Sequence, residues 1–218
     1  VGDKWQAVTG CLLVVGYGLS ETAPAVSIDP IDGESFSDTI GLPLPSTEVS
    51  IQDDNGKEIP VNEVGEICVR GPQVMRGYWN NEDDTKKVLS DSGWFRTGDI
   101  GMMRSDGYIK IVDRKKDMII VSGFNVFPSE VEEVAMMHSD VFEAGCIGVS
   151  DPDGSEKVKL YVSLNSGVNI SKESIIEHCR KNLTAYKVPK LIEIVDEIPK
   201  SNVGKILRRE LRENTLDA

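Results

Sequence analysis

Five consecutive charged residues, Asp113-Arg114-Lys115-Lys116-Asp117, separate two apolar stretches near the middle of the chain. Burying charged groups is costly, so such a run favours an exposed connection over a strand of the core. We therefore predict a first unit over residues 1–112, a hinge linker over 113–118 and a second unit over 119–218. Taken alone, the charged run is explained equally well by a merely solvated loop.

Before the linker, short apolar or alternating stretches are separated by turn signals. Asp54-Asn55-Gly56 and Ser105-Asp106-Gly107 are typical of hairpin turns, and residues 66–70 and 108–112 have the composition of strands. We expect a small antiparallel sheet or barrel over residues 41–112.

After the linker, helical and strand patterns follow one another in mixed order. Strands are predicted at 118–121, 141–149, 158–164 and 191–195, and helices at 128–138, from Ser171 and from Lys205. Ser129 and Glu132 have the spacing of a capping box at the start of the first helix. The whole pattern predicts an α+β fold.

Composition excludes several classes of protein. A net charge of -12 over 218 residues argues against nucleic-acid binding, and no apolar run approaches the roughly 20 residues of a membrane span. His138 and His178 have no partner at ligand spacing, so no zinc site is expected. Cysteines occur without close pairs and are expected to be buried thiols in a reducing compartment: Cys11, Cys68, Cys146 and Cys179.

The sign of the charge reverses near the end of this acidic chain. Residues 180–212 hold nine Lys or Arg against four Asp or Glu. Lys205 follows the flexible Gly204 and opens a helical pattern, which places an ammonium group on a mobile tip. Such a concentrated cationic arm suggests an anionic partner.

A second candidate segment is Gly16-Tyr17-Gly18-Leu19-Ser20-Glu21, after a predicted apolar strand at Leu12–Val15. It begins like a dinucleotide fingerprint, but Glu21 replaces the last glycine and disfavours that interpretation. Tyr17, Ser20 and Glu21 suit a base, a phosphate oxygen and Mg²⁺, respectively. From the residues alone, a plain turn is the simpler interpretation.

Two further glycine-containing segments are candidates. Gly93–Gly101 predicts a loop around Asp99, which can accept two ribose hydroxyls, with Arg114 near the same sugar or a phosphate; an Asx turn is the alternative. Gly123 follows a strand and would let a thin ligand pass close to the backbone, unless it marks only a turn.

The order of these segments carries a resemblance that none carries singly. Together they resemble the adenylate-forming superfamily of acyl-CoA synthetases, adenylation domains and beetle luciferases. Residues 91–120 and Tyr186–Lys190 are most similar to the bacterial long-chain fatty acid–CoA ligases. The segments are Tyr17–Glu21, Gly93–Asp99, Asp113–Asp117, Ser122–Glu132 and Pro199–Arg209.

The resemblance implies a reaction in two steps on a fatty acid, ATP and coenzyme A, through an acyl adenylate. Tyr17 would stack on the adenine of ATP or AMP, Ser20 would contact the α-phosphate and Glu21 would help to hold Mg²⁺. Asp99 would bind the ribose with Arg114 beside it.

The resemblance also implies how the second unit takes part. Lys205 would bridge the fatty carboxylate and the α-phosphate, Lys116 would be the hinge pivot, and Gly123 would border the pantetheine passage. The first unit would be a remnant of a large domain with its small antiparallel β-barrel. The second would be a mobile α+β domain with a three-stranded sheet, flanking helices and a β-hairpin.

The family's Ser/Thr/Gly-rich phosphate loop and most of its acyl tunnel lie upstream of the segment at Tyr17. We therefore expect a C-terminal portion of a cytoplasmic enzyme, inactive by itself, for which peripheral contact with a membrane stays open. Another adenylate-forming enzyme, either an acyl–AMP ligase or a carrier-protein adenylation domain, is one alternative. A nucleotide-binding module without catalysis is the other.

Overall fold

The computed structural model describes residues 2–33, 38–151, 154–202 and 204–216. Val203, within the Pro199–Arg209 segment, lies outside the described residues. The chain divides into two compact units, residues 1–115 and 116–218. Among the described residues, no helix combines the length and the apolar character needed to cross a membrane.

The first unit begins with a helix and a small sheet. Helix α1 (Gly2–Thr9) precedes strands β1 (Gly16–Gly18), β2 (Ala25–Ile28) and β3 (Leu42–Pro43), which pair in the antiparallel order β1-β2-β3.

The predicted strand at Leu12–Val15 is wrong, because the chain begins to pair only at the end of that apolar run. The Val15 carbonyl accepts a hydrogen bond from the Asp29 N–H (2.8 Å), and the Val15 N–H donates to Asp29 Oδ2 (3.2 Å). Strand β1 starts at the next residue, Gly16. An apolar run shows a tendency to be buried, and a strand additionally requires a neighbouring chain to pair with.

A four-stranded antiparallel sheet forms the rest of this unit. Its strands stand in the order β4-β5-β6-β7, and helix α2 connects β5 to β6. The elements are β4 (Glu48–Gln52), β5 (Gly65–Arg70), α2 (Glu82–Val88), β6 (Phe95–Met103) and β7 (Ile109–Arg114). Both predicted hairpin turns are present, since the Gly56 N–H donates to the Asp53 carbonyl and the Gly107 N–H to the Arg104 carbonyl.

The predicted barrel is not closed. The two sheets of the first unit are joined where the Ile40 N–H donates to the Ile109 carbonyl (2.8 Å) and the Ile109 N–H donates to the Gly41 carbonyl (3.1 Å). This junction is too short to make a continuous ladder between β3 and β7, so both sheets stay open. Their apolar faces share one core, made of Val26, Ile40, Ile51, Ile67, Val69 and Ile109.

The charged linker is more ordered than the sequence predicts. Asp113 and Arg114 complete β7, and Lys115–Asp117 form a 3₁₀ turn. Asp113 and Asp117 are buried, so the expectation of a wholly exposed run is wrong for both of them. Each carboxylate has a hydrogen-bond donor, the Arg114 N–H for Asp113 and the Arg212 guanidinium for Asp117, which offsets the loss of hydration.

The described residues of the second unit form a three-stranded sheet, three α-helices and a hairpin. Its elements are β8 (Ile119–Val121), β9 (Phe124–Val126), α3 (Pro128–Met136), β10 (Val141–Ser150), β11 (Glu156–Leu164), α4 (Lys172–Asn182), β12 (Leu191–Ile194) and α5 (Arg208–Leu216). Strand β11 is central, antiparallel to β10 and parallel to β12, while β8 and β9 form the hairpin. The predicted α+β class and this arrangement are confirmed.

Of the predicted helix starts in the second unit, that of α4 is present, whereas the cap of α3 and the start of α5 differ from the prediction. Helix α4 begins where the sequence predicts, and Ser171 caps it, since its Oγ accepts a hydrogen bond from the Ser174 N–H. The capping box at Ser129 and Glu132 is wrong, because Phe127 is the cap of α3 and Glu132 is buried. Helix α5 begins at Arg208 and not at Lys205.

The cysteine side chains are buried as predicted at three of the four positions. Cys68, Cys146 and Cys179 are buried, whereas Cys11 is exposed. Burial raises the pKa of the Cys68 and Cys179 thiols to about 11, which keeps them protonated and poorly reactive.

His138, which the predicted helix over 128–138 includes, lies beyond the end of α3 at Met136. Its ring and that of His178 are 5.2 Å apart, edge to face. In the part of the chain that the structure describes, no group of three or more His, Cys, Asp or Glu residues could hold a metal ion.

Gly41 gives a test of the junction between the two sheets of the first unit. Its φ is +79°, and a Cβ there would lie 2.0 Å from the Ile28 carbonyl carbon. Gly41→Ala should lower the free energy of unfolding by more than about 3 kcal/mol, because the backbone of β2 must move.

Gly56→Ala is the matched control. Gly56 has the same φ of +79°, but the nearest atom to its Cβ would be 3.8 Å away. This change should cost about 1 kcal/mol from backbone strain alone. All three tryptophans (Trp5, Trp79 and Trp94) belong to the first unit, so their fluorescence during urea denaturation reports its unfolding. Equal losses in the two variants would contradict the proposed close packing at Gly41.

Candidate functional site

The carboxylate of Asp99 is the meeting point of three strands in the first unit. The Tyr17 hydroxyl of β1 donates to Asp99 Oδ2 at 2.6 Å across 82 residues of sequence, and Nε of Arg114 on β7 lies 2.7 Å from Oδ1. Asp99 is buried, whereas the Arg114 side chain is 53% exposed. The structure therefore brings together three of the residues that the sequence singles out.

Asp99 is held there by a strand and not by the loop that the glycines predict. It lies within β6, opposite Arg114 in the register of β6 and β7. Gly98 has a φ of +72°, a left-handed conformation that favours glycine. Thr97 Oγ1 stabilises the irregular stretch, because it donates to the Ile67 carbonyl (2.8 Å) and accepts from the Asp99 N–H (3.0 Å).

The electrostatic environment fixes the protonation state of the tyrosine. Burial, together with the hydrogen bond to Asp99 and its negative charge, raises the pKa of Tyr17 far above its ordinary value. The hydroxyl therefore keeps its proton at neutral pH and donates it in the hydrogen bond to the carboxylate. Each oxygen of Asp99 accepts one of these contacts and retains a second lone-pair direction.

Ser20 and Glu21 lie in a 3₁₀ turn that follows β1 directly. Ser20 is exposed, and Glu21 is half-buried. Glu21 Oε1 accepts a hydrogen bond from the Tyr78 hydroxyl at 2.9 Å, and its backbone carbonyl accepts from the Met75 N–H at 2.8 Å. Burial and the hydrogen bond to Glu21 raise the pKa of Tyr78 above its ordinary value.

Sequence reasoning missed Tyr78. The contact joins residues 57 positions apart, and nothing in the spacing of Gly77-Tyr78-Trp79 relates it to Glu21. Only an aromatic residue directly after a glycine could have suggested a special role.

The donor set at Glu21 fits Mg²⁺ only as a partial site. Glu21 is one carboxylate, and the described residues form no cluster of three possible ligands. Mg²⁺ commonly keeps several waters and is held by one or two carboxylates together with the phosphates of a substrate. A single carboxylate beside a nucleotide is compatible with that mode.

In the second unit, Gly123 forms the tip of the β8–β9 hairpin. Ser122 and Gly123 have φ values of 50° and 83°, as a two-residue turn with left-handed positions requires. No atom lies within 4 Å of where a Cβ of Gly123 would be, so the tip is open on that side. The next residue, Phe124, stacks its ring on Tyr186 with the centroids 4.9 Å apart.

Lys205 lies on a short, tightly bonded loop before α5. The Ser201 N–H donates to the Lys205 carbonyl (2.8 Å), and the Lys205 N–H donates to Ser201 Oγ (3.2 Å). Gly204 takes the left-handed conformation with a φ of +79°. Lys205 is exposed, and among the described residues its ammonium group has no ion-pair partner, so it is accessible to an external anion.

Lys116 is exposed between two anchored neighbours. The Lys115 ammonium lies 2.7 Å from Asp54 Oδ1 and 2.9 Å from Glu66 Oε2, within the first unit. Partial burial works against the charge of Lys115, but the hydrogen bonds to Asp54 and Glu66 outweigh it and raise its pKa. In the second unit, Asp117 accepts a hydrogen bond from Arg212 at 2.8 Å.

The predicted residues thus fall into two groups. The first unit joins Tyr17, Asp99 and Arg114 directly and carries Ser20 and Glu21 on the turn after β1. The second unit carries three predicted site residues on separate segments: Lys116, Gly123 and Lys205. No hydrogen bond or ion pair between described residues joins them.

Family models match both units of the chain. The model described as AMP-binding enzyme matches residues 1–79, and the AMP-binding enzyme C-terminal domain matches residues 130–205. A long-chain-fatty-acid–CoA ligase from Yersinia pestis is 53% identical over 213 residues, which are 98% of this chain and 38% of the relative. The chain thus spans well under half the length of that curated relative.

Solved structures agree with the family models. The ATP-bound crystal structure of MatB from Rhodopseudomonas palustris has a TM-score of 0.92 and 34% identity, over 99% of this chain and 43% of that one. The o-succinylbenzoate CoA synthetase of Bacillus subtilis, in complex with its acyl-adenylate intermediate, has a TM-score of 0.82 and 31% identity, over 96% and 43% of the two chains. The chain accordingly belongs to the family of AMP-binding enzymes.

Proposed function

We propose that this chain is part of an ATP-dependent fatty acyl-CoA synthetase, which forms an acyl adenylate and then its coenzyme A thioester. The observation that carries the proposal is the buried carboxylate of Asp99, held by Tyr17 and Arg114. Similarity to long-chain-fatty-acid–CoA ligases supports the fatty acid as substrate.

Asp99 would bind the ribose of ATP or AMP. A carboxylate that is already oriented by two protein donors presents its remaining lone pairs in fixed directions, which suits the two adjacent hydroxyls of the sugar. Arg114 is half-exposed and can donate its remaining N–H groups to the sugar or a phosphate. Tyr17, held at its hydroxyl, would offer its ring to the adenine.

The turn after β1 would face the phosphates. Ser20 has an exposed hydroxyl that can donate to an α-phosphate oxygen, and Glu21 is the carboxylate nearest to it in sequence. Glu21, oriented by Tyr78, would hold Mg²⁺, which supplies charge neutralisation for the phosphates when it is bound.

Lys205 would act in the first step. An oxygen of the fatty carboxylate attacks the α-phosphorus, the bond to the bridging oxygen breaks, and pyrophosphate leaves with the electron pair. Two anions must approach each other, so a cation between them stabilises the transition state more than the separated reactants. The ammonium group of lysine is a compact charge on a flexible stem, and in Lys205 it is exposed and carried by a tight loop.

The second step needs a thiol to reach the acyl carbonyl. The coenzyme A sulfur loses its proton and attacks the acyl carbonyl carbon. The bond between that carbon and the phosphate oxygen breaks, and AMP leaves with the electron pair. The open hairpin tip at Gly123 would border the path of the pantetheine arm. We propose that the second unit turns about Lys116 between the two steps, and the anchors on Lys115 and Asp117 support a pivot at that residue.

Lys205→Ala in the full-length protein tests the division of labour between the two steps. Acyl adenylate formation should fall by about a hundredfold or more, because one charge contact in the transition state is lost. Thioester formation from supplied acyl adenylate and coenzyme A should be largely retained. Pyrophosphate release and acyl-CoA production measure the two half-reactions, and an equal loss in both would contradict the role given to Lys205.

Tyr17→Phe tests the clamp on Asp99. The ring remains for stacking, but one donor to a buried carboxylate is removed, so AMP should bind about tenfold more weakly to the full-length protein by calorimetry. Tyr108→Phe, on a tyrosine of the same unit outside this cluster, is the control and should leave the affinity unchanged. Unchanged affinity in Tyr17→Phe would argue against Asp99 as the ribose ligand.

The 218-residue chain alone should release no AMP from ATP in the presence of oleate. The family resemblance places the phosphate loop and most of the acyl tunnel upstream of Tyr17, so the chain alone would lack part of the site. The full-length protein is the positive control in the same assay. Oleate-dependent AMP release by the 218-residue chain would refute this expectation.

A further inference from the structure

We propose that Arg208 and Arg212 are positioning residues that fix the Lys205 loop to the first residues of the second unit. Lys205 would then move as one body with the start of the second unit, next to the proposed pivot at Lys116. The inference rests on the proposed function, since it assigns to these arginines the placement of Lys205 for the adenylation step.

The four charged groups involved form one cluster inside the second unit. The Nη2 atom of Arg208 lies 3.0 Å from Oε1 and 2.8 Å from Oε2 of Glu132, and Nη1 lies 3.9 Å from Asp117 Oδ2. Arg212 Nη2 lies 2.8 Å from Asp117 Oδ1. Glu132 also accepts a hydrogen bond from the Cys146 N–H at 2.7 Å. The cluster therefore joins the start of the unit, α3, β10 and α5.

The cluster is close to neutral and mostly removed from water. Asp117 and Glu132 have side-chain exposures of 9% and 8%, and Arg208 has 16%, whereas Arg212 is 39% exposed. Two carboxylates face two guanidinium groups, so each buried charge has an opposite partner. Removing one partner from such a cluster leaves an uncompensated charge, which makes its arrangement specific.

The path from the cluster to Lys205 is short and stiff. Arg208 follows Lys205 by three residues, and the Leu207 N–H donates to the Pro199 carbonyl at 2.9 Å. A β-bridge pairs Lys200 with Ile206, which closes the base of the loop. Apolar packing completes the support, with Ile206 and Leu211 against Ile147, Tyr161 and Ile198.

At the other end, the cluster reaches the pivot. Asp117 is the residue after Lys116, and 95 residues separate it in sequence from Arg212. Any rotation at Lys116 would therefore carry Asp117, the start of α5 and the Lys205 loop together. Apolar side chains in place of this cluster could stabilise the unit by a similar amount. Ion pairs require particular geometries in addition, so they also fix the orientation of the Lys205 loop.

Arg212→Gln in the full-length protein is the direct test. Amide exchange of residues 198–207, followed by mass spectrometry, should be about tenfold faster, because the loop loses one anchor. Adenylation of oleate should fall about tenfold or more, since a displacement of about 1 Å of a reacting group can cost a hundredfold. Thioester formation from supplied oleoyl adenylate should stay within about twofold.

Arg209→Gln is the matched control on the same helix. Arg209 is 84% exposed and pairs only with Glu213 on its own helix among the described residues, so neither exchange nor adenylation should change. Arg212→Lys keeps the positive charge, so it should restore part of the slow amide exchange of residues 198–207 and part of the adenylation activity. Glu132→Gln, which keeps the side-chain volume, is a second variant with the same expected pattern.

Two results would overturn the proposal. One is unchanged exchange of residues 198–207 in both Arg212→Gln and Glu132→Gln. The other is an equal loss of adenylation and of thioester formation in these variants, which is the result expected if the arginines only stabilise the fold. If the unsubstituted full-length protein adenylates no fatty acid, the proposed function fails, and the exchange comparison still decides whether the arginines hold the loop.

Discussion

A buried carboxylate needs partners, and the first unit is organised around that requirement at Asp99. Tyr17 and Arg114 reach it from β1 and β7, so the contact joins the small sheet to the four-stranded sheet through side chains. The bulged stretch at Thr97 and Gly98 turns the carboxylate toward both donors. The same arrangement that offsets the cost of burial also fixes the directions of the remaining lone pairs of the carboxylate.

Ion pairs impose a comparable constraint on the middle of the chain. Lys115 is bound to Asp54 and Glu66 in the first unit, and Asp117 is bound to Arg212 in the second. Within the predicted linker over residues 113–118, Lys116 therefore lies between two residues that are each held by an ion pair. If Lys116 is the pivot that we propose, these anchors on either side of it would limit the paths by which the second unit could turn.

The parts of the fold that the sequence predicts correctly depend on local signals. Both hairpin turns carry a glycine at a position of positive φ, and Ser171 caps α4 through its own side chain. Other features depend on partners distant in sequence, and there the predictions are wrong. Glu132 is drawn into an ion pair 76 residues away, and the Cys11–Val15 run finds no strand to pair with before Gly16. The candidate site follows the same rule, since the segments could be named from the sequence, but the contacts of Asp99 with Tyr17 and of Glu21 with Tyr78 could not.

A crystal structure of the full-length protein with AMP would show whether Asp99 binds the ribose, as we propose. We expect the two ribose hydroxyls within about 3.2 Å of the Asp99 carboxylate oxygens, with the Tyr17 and Arg114 contacts retained. A nucleotide bound with its ribose hydroxyls away from Asp99 would show that this carboxylate is not the ribose ligand.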